Sequence, residues 1–125
     1  CSPMTTRQQE RAQAAYECVK DKKKDYGRLC ADLPALLRQC GLCQTVTFLQ
    51  AKNKDGKAHF GEVLTDLGKV AGLGDNVDDI SDTVRRVEVG EYQRLSREAL
   101  RCAEWFSRYA EALLDVKKGE GDDRA

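Results

Sequence analysis

Residues 91–114 read EYQRLSREALRCAEWFSRYAEALL. At 100° per residue, Leu95, Ala99, Phe106, Tyr109, Ala110 and Leu113 fall within one apolar arc, which predicts a long amphipathic helix from Glu91 to about Leu114. With Arg94 at 0°, Arg97 falls at about 300°, Arg101 at about 340° and Arg108 at about 320°. Four arginines therefore share a stripe about 60° wide, roughly opposite the apolar arc, with Trp105 at its border. Two accounts fit this spacing equally. In one, Glu98, Glu104 and Glu111 neutralise the stripe through helical pairs such as Arg94 with Glu98 and Arg108 with Glu104 or Glu111. In the other, an exposed line of guanidinium forks binds phosphate oxygens, to which arginine is suited because it stays charged and can bind bidentately.

Outward from this segment the chain keeps the helical period. Phe60, Val63, Leu64, Leu67, Val70 and Ala71 line one stripe that Gly72 and Gly74 end. Leu29, Leu33, Leu36, Leu37 and Cys40 form another, with Pro34 as a kink or as an early residue after an Asp32 cap, and Gly41 as its stop. Thr6 with Gln9 fits a capping box, and Ala12, Ala15, Tyr16, Val19 and Tyr26 predict a long first helix running through the basic cluster Lys20, Lys22, Lys23 and Lys24. Leu42, Val46 and Leu49 continue as a short helix, although Thr45-Val46-Thr47-Phe48 equally fits a strand by propensity. Asn53-Lys54-Asp55-Gly56 is a turn. The segment from Asp75 to Val89 shows no clean period and reads as a loop plus a weak helix. The expectation is an all-α fold: a single bundle of about five or six helices, long at both ends, with no sheet.

The chain has 125 residues, enough for one domain that buries roughly two thirds of its unfolded surface without a metal or disulfide staple. Cys1-Ser2-Pro3 reads as a cloning remnant, residues 4–114 as the helical domain and residues 115–125 as a polar tail. No apolar run approaches the ~20 residues of a membrane span, and the polar start at Thr5 to Gln9 lacks a signal-peptide core. The expected localisation is cytoplasmic, where six cysteines are expected as thiols. Cys18, Cys30, Cys40 and Cys102 lie on or beside apolar faces. The 21 basic and 21 acidic side chains balance, which excludes a polycation that holds nucleic acid by bulk charge alone. The charges are nevertheless segregated: residues 1–40 carry eight bases against five acids, and residues 53–84 carry three against seven.

Motifs for chemistry are sparse. Cys40-Gly41-Leu42-Cys43 has redox-pair spacing but follows an amphipathic helix rather than a strand, and a zinc site would have to recruit Cys30 or His59 at irregular spacing. His59 is the single histidine, with no nucleophile motif beside it, and reads as a surface residue at a helix start. Gly72-Leu73-Gly74 lacks the third glycine of a dinucleotide fingerprint, and Asp75 to Asp82 fits no calcium-loop register. No catalytic residue, metal or cofactor is assigned, and no nuclease activity is expected of the isolated chain.

Two stretches resemble a known family. Leu33-Pro34-Ala35-Leu36-Leu37-Arg38-Gln39-Cys40-Gly41-Leu42 followed by Gln44 to Leu49, and Glu91 to Leu100 followed by Trp105 to Ala110, are similar to the corresponding segments of the Cmr-complex small subunit, the fifth protein of the type III-B CRISPR effector. The resemblance covers most of residues 4–114. It implies an all-helical, non-catalytic subunit of an RNA-guided, RNA-targeting antiviral complex. Its copies stack as a minor filament against the backbone subunits that carry guide RNA and help line the groove for target RNA. Arg94, Arg97, Arg101 and Arg108 become candidate RNA contacts, with Arg38, Lys20, Lys22, Lys23 and Lys24 as further ones. Arg108 matches the family pattern, whereas Ser107 stands where lysine is frequent. On the residues alone, a thiol-redox or zinc-binding protein using Cys40 and Cys43, or an adaptor that binds only protein, remains open.

Overall fold

A computed structural model describes residues 6–117, and the expected cloning remnant and most of the polar tail lie outside these residues. The described chain forms six helices and no strand: α1 (Arg7–Val19), α2 (Lys24–Cys40), α3 (Leu42–Lys54), α4 (Ala58–Ala71), α5 (Val77–Arg86) and α6 (Val89–Leu113). The ambiguous stretch Thr45 to Phe48 is helical, inside α3. Its Val46 is buried, and the Thr45 hydroxyl donates to the Leu36 carbonyl at 3.2 Å, tying α3 to α2.

The expected capping box starts α1: the Thr6 hydroxyl accepts from Gln9 N at 3.0 Å and the Gln9 side chain accepts from Thr6 N at 2.7 Å. The expected length is wrong, however. α1 stops at Val19 after 13 residues; Lys20, Lys22 and Lys23 lie in the turn, and Lys24 is the first residue of α2. Val19 and Tyr26 are both buried, but the helices carrying them run in opposite senses along α6. Arg11 meets Glu98 and Tyr16 meets Tyr109, so α1 runs parallel to α6. Ala31 meets Ser107 and Cβ-less Gly27 lies against Leu114, so α2 runs antiparallel. A single continuous helix could run along α6 in only one of these senses.

Pro34 sits inside α2, where it removes one ladder hydrogen bond, and the Ser107 hydroxyl of α6 donates to the carbonyl of Ala31 in the same turn at 3.2 Å. Gly41 ends α2 and starts α3 with φ 82°, a value that favours glycine at this corner. The segment without a clean period contains a full helix, α5. Asn76 caps it, accepting from Asp79 N at 2.9 Å; Asp78 and Asp79 occupy its first turn and Arg85 and Arg86 its last. That charge order follows the helix dipole.

The core lies between α6 with its neighbours α1 and α2 on one side and α3, α4 and α5 on the other. Leu33, Leu49, Leu64, Ile80, Leu95 and Phe106 are fully buried in it, and each such side chain contributes roughly 1.5–3 kcal/mol of transfer free energy. α6 thus has its inner arc in the core and its flanks against α1 and α2, which leaves the outer arc to solvent.

Candidate nucleic-acid interface

That outer arc carries the arginine stripe. Arg94, Arg97, Arg101 and Arg108 are all exposed, whereas Leu95, Ala99 and Phe106 on the opposite arc are buried. Two of the three glutamates expected to neutralise the stripe are drawn elsewhere, while Glu111 is exposed and makes no ion pair among the described residues. Glu98 is buried and takes both forks of a different arginine: Arg11 Nε and Nη2 donate to its two oxygens at 2.8 and 2.6 Å, and Arg7 Nη2 adds a third bond at 2.6 Å. These hydrogen bonds hold the Glu98 carboxyl down at about 2, against the opposing pull of burial. Glu104 pairs with Arg38 at 2.6 Å rather than with Arg108.

The four arginines therefore differ. Arg94 is bidentate to Glu91, at 2.8 and 2.7 Å. Arg97 and Arg101 make no ion pair among the described residues. Arg108 lies with its guanidinium carbon 4.9 Å from the Trp105 ring centroid, a cation–π contact that leaves its charge uncompensated. Arg38 does approach the stripe: with Pro34, Glu104, Ser107 and Arg108 it lines a cleft of about 130 Å³, but Glu104 neutralises it. Ser107, where the sequence departs from the family, is buried against α2, so the departure falls beside the stripe rather than on it.

The lysines split in the same way. Lys20 holds Glu17 at 3.0 Å, and Lys22 turns toward α4, 3.4 Å from Glu62 and 3.6 Å from Asp66. Lys23 and Lys24 are exposed at the turn and make no ion pair among the described residues. The turn lies one α1 turn beyond the Tyr16–Tyr109 contact, at the end of the bundle where α6 ends. Of the nine candidates, Arg97, Arg101, Arg108, Lys23 and Lys24 thus remain without an acidic partner, and the first three share one face.

Cys40 closes α2 and is exposed, contrary to its expected place beside an apolar face; Cys43, in the first turn of α3, is half-buried. Both are free thiols. Cys30 is fully buried in the core, where desolvation pushes its thiol well up, and His59 lies half-buried against Phe60 with ring centroids 4.6 Å apart. Among the described residues no three His, Cys, Asp or Glu side chains cluster in a way that could hold a metal ion. No helix of the described chain is long and apolar enough to cross a membrane.

The sequence reading missed the aromatic side of this face. Tyr109 touches both Trp105 and Tyr16 at the α1–α6 seam, where periodicity marks Tyr16 and Tyr109 only as core positions. Tyrosine pairs an apolar ring with a polar tip and so favours the edge of an apolar arc, which is where the period places Tyr109.

A family profile described as CRISPR-associated protein (Cas_Cmr5) matches residues 7–113, from the first residue of α1 to the last of α6. The chain is similar to the CRISPR system Cmr subunit Cmr5 of Thermus thermophilus, with 38% identity over 117 residues that cover 90% of this chain and 99% of that one. The same-named subunit of Thermotoga maritima is 30% identical over 105 residues, covering 83% and 78%. The crystal structure of a CRISPR-associated Cmr5 family protein from Thermus thermophilus superposes with a TM-score of 0.76 at 34% identity, over 88% of this chain and 99% of the other. On sequence and fold together, the chain belongs to the Cas_Cmr5 family of CRISPR-associated proteins.

Proposed function

We propose that this chain is a non-catalytic structural subunit of a Cmr-type, RNA-guided effector complex, and that it turns the outer face of α6 toward target RNA. The relatives are named as Cmr subunits. In this reading copies of the chain stack as a minor filament beside the backbone subunits that carry guide RNA, in the cytoplasm, and other subunits perform nuclease chemistry. The observation that carries the RNA contact is the state of Arg97, Arg101 and Arg108: three exposed guanidiniums in line on one helix, with Glu98 committed to Arg7 and Arg11 and Glu104 to Arg38.

The physics is that of many weak contacts. Sequence-independent affinity for RNA comes from neutralised phosphates and the counterions they release, so a chain of zero net charge binds free RNA weakly. Copies in a filament present such strips at high effective concentration, and the sum becomes useful binding. Phosphate contacts hold the strand in register without reading bases, which suits a complex whose specificity comes from the guide.

The test is the double charge reversal Arg97→Glu with Arg101→Glu in the reconstituted complex. Target affinity should fall for all sequences alike, and the slope of affinity against salt should drop by about two, one per lost phosphate contact. Unchanged affinity and slope in an intact complex would leave the stripe as a solvated face. Failure of the variant to join the complex would assign it to a protein interface.

A further inference from the structure

Beside the stripe, along the α1–α6 seam, aromatic rings and cations form a continuous strip. Tyr16 meets Tyr109 edge-on with centroids 5.6 Å apart, and Tyr109 stacks on Trp105 at 5.8 Å with 28° between their planes. Arg108 covers Trp105 at one end, and Lys20 Nζ lies 5.9 Å from the Tyr16 centroid at the other. Tyr16 is 37% exposed, and Tyr109 and Trp105 are half-buried. Arg101 stands one helical turn before Trp105, so the strip and the stripe share a border.

We propose that Tyr16, Tyr109 and Trp105 are a stacking platform for the bases of single-stranded RNA whose phosphates lie along Arg97, Arg101 and Arg108. The inference rests on the RNA reading above and adds which part of the RNA the seam grips. A cationic line that tracks the phosphates, flanked by aromatic faces, is the combination that holds single strands without regard to sequence, because every base has a π-face. A duplex hides those faces, so the strip grips target RNA that is not paired with the guide. The cations also favour a polyanion over an apolar protein segment: Lys20 is shared with Glu17, but Arg108 has only the indole. When Arg108 turns to a phosphate it uncovers the ring surface on which a base can settle, so the two contacts support each other.

The chain has one tryptophan, so its emission reports this strip alone. Oligouridylate added to the full chain at low salt should quench Trp105, whereas an abasic ribose-phosphate oligomer of equal length and charge should bind with little quenching. Tyr16→Ala and Tyr109→Leu should each weaken oligouridylate binding between about fivefold and a hundredfold, the range for one lost base stack, with an unchanged salt slope. Arg101→Ala should lower that slope instead. If the tyrosine variants bind like the wild type while Arg101→Ala still lowers the slope, or if the abasic oligomer quenches equally, the platform is overturned and the RNA reading stands. If the wild-type chain binds neither oligomer even at low salt, the platform is overturned, and the RNA reading is decided by the charge reversal in the assembled complex. Should Tyr109→Leu unsettle the fold, Tyr16→Ala decides alone, since that ring is already exposed. Normal oligouridylate binding by Tyr16→Ala, together with its loss from the complex, would overturn the platform and give the strip to a protein neighbour.

Discussion

The two sides of α6 use the same chemistry to opposite ends. On the side facing α1, Arg11 and Arg7 converge on buried Glu98, with Arg11 and Glu98 side chains only 10% and 8% exposed. On the outer arc, Arg97 and Arg101 stand in water with no acid to hold among the described residues. The buried cluster fixes how α1 sits on α6, and it withdraws from the stripe Glu98, one of two glutamates that helical spacing could pair with Arg94. Structural charge and available charge are therefore coupled at Glu98, whose counter-charge the buried cluster takes from the outer face.

The largest expected effect is on the buried side. Glu98→Ala leaves Arg11 buried without compensation and should cost about 3–5 kcal/mol in urea unfolding, while Arg11→Met with Glu98→Leu should recover much of that loss. The pH dependence follows from the same pair. The Glu98 carboxyl titrates at about 2 in the folded chain, below the ~4.3 of an unfolded glutamate. A depressed folded value means that its stabilisation is complete above the unfolded value and is lost as pH falls toward 2. The urea midpoint should therefore decline from about pH 5 to pH 2, and Glu98→Gln should flatten the curve in that window. A midpoint insensitive to both changes would remove the cluster's structural role.

How much of this was legible in the sequence depended on the range of the deciding contact. α2, α4 and α6 are legible because a continuous apolar face is a local signal, and Gly41 and Gly72 mark the ends of α2 and α4 at positive φ. α1 reads as longer because Lys20 to Lys24 contains no glycine or proline and Val19 and Tyr26, seven residues apart, share one helical face; the reversal shows only in the opposite senses of α1 and α2 along α6. α5 was underestimated because its apolar face is short; its signal lay in Asn76 with Asp79 and in the acid-to-base order along its length. The stripe itself followed from periodicity alone. Which arginines stay free did not, because the partner of Glu98 lies 87 residues away and that of Glu104 lies 66 away.

Arg108 stands between the two extremes. Its contact with Trp105 is a cation–π pair at an exposed site, worth about 0.5–1 kcal/mol, so Arg108→Ala should lower stability by that amount and shift Trp105 emission. The Arg97→Glu, Arg101→Glu double reversal should do less to the isolated fold, within about half a kcal/mol, because neither side chain is buried or paired among the described residues. A large loss of stability there would show that the outer arc is structural after all.

The smallest stability effect, and the sharpest discrimination, belongs to Arg94. Its guanidinium is closed onto Glu91 by two hydrogen bonds, which lower the Glu91 carboxyl and raise Arg94. Both groups are exposed, so Arg94→Ala should leave the thermal midpoint unmoved. Its consequence for RNA differs from that of its neighbours, because a neutralised arginine contributes no net charge to the stripe. Removing it should leave the salt slope of target binding nearly unchanged, where Arg101→Ala lowers it by about one. Glu91→Gln reverses the logic: it releases Arg94 and removes a negative charge one turn from Arg94, so target affinity should rise and the salt slope should steepen by about one. Equal slopes for Arg94→Ala and Arg101→Ala would mean that the Glu91 pair opens when RNA arrives, and the stripe would then count four contacts rather than three.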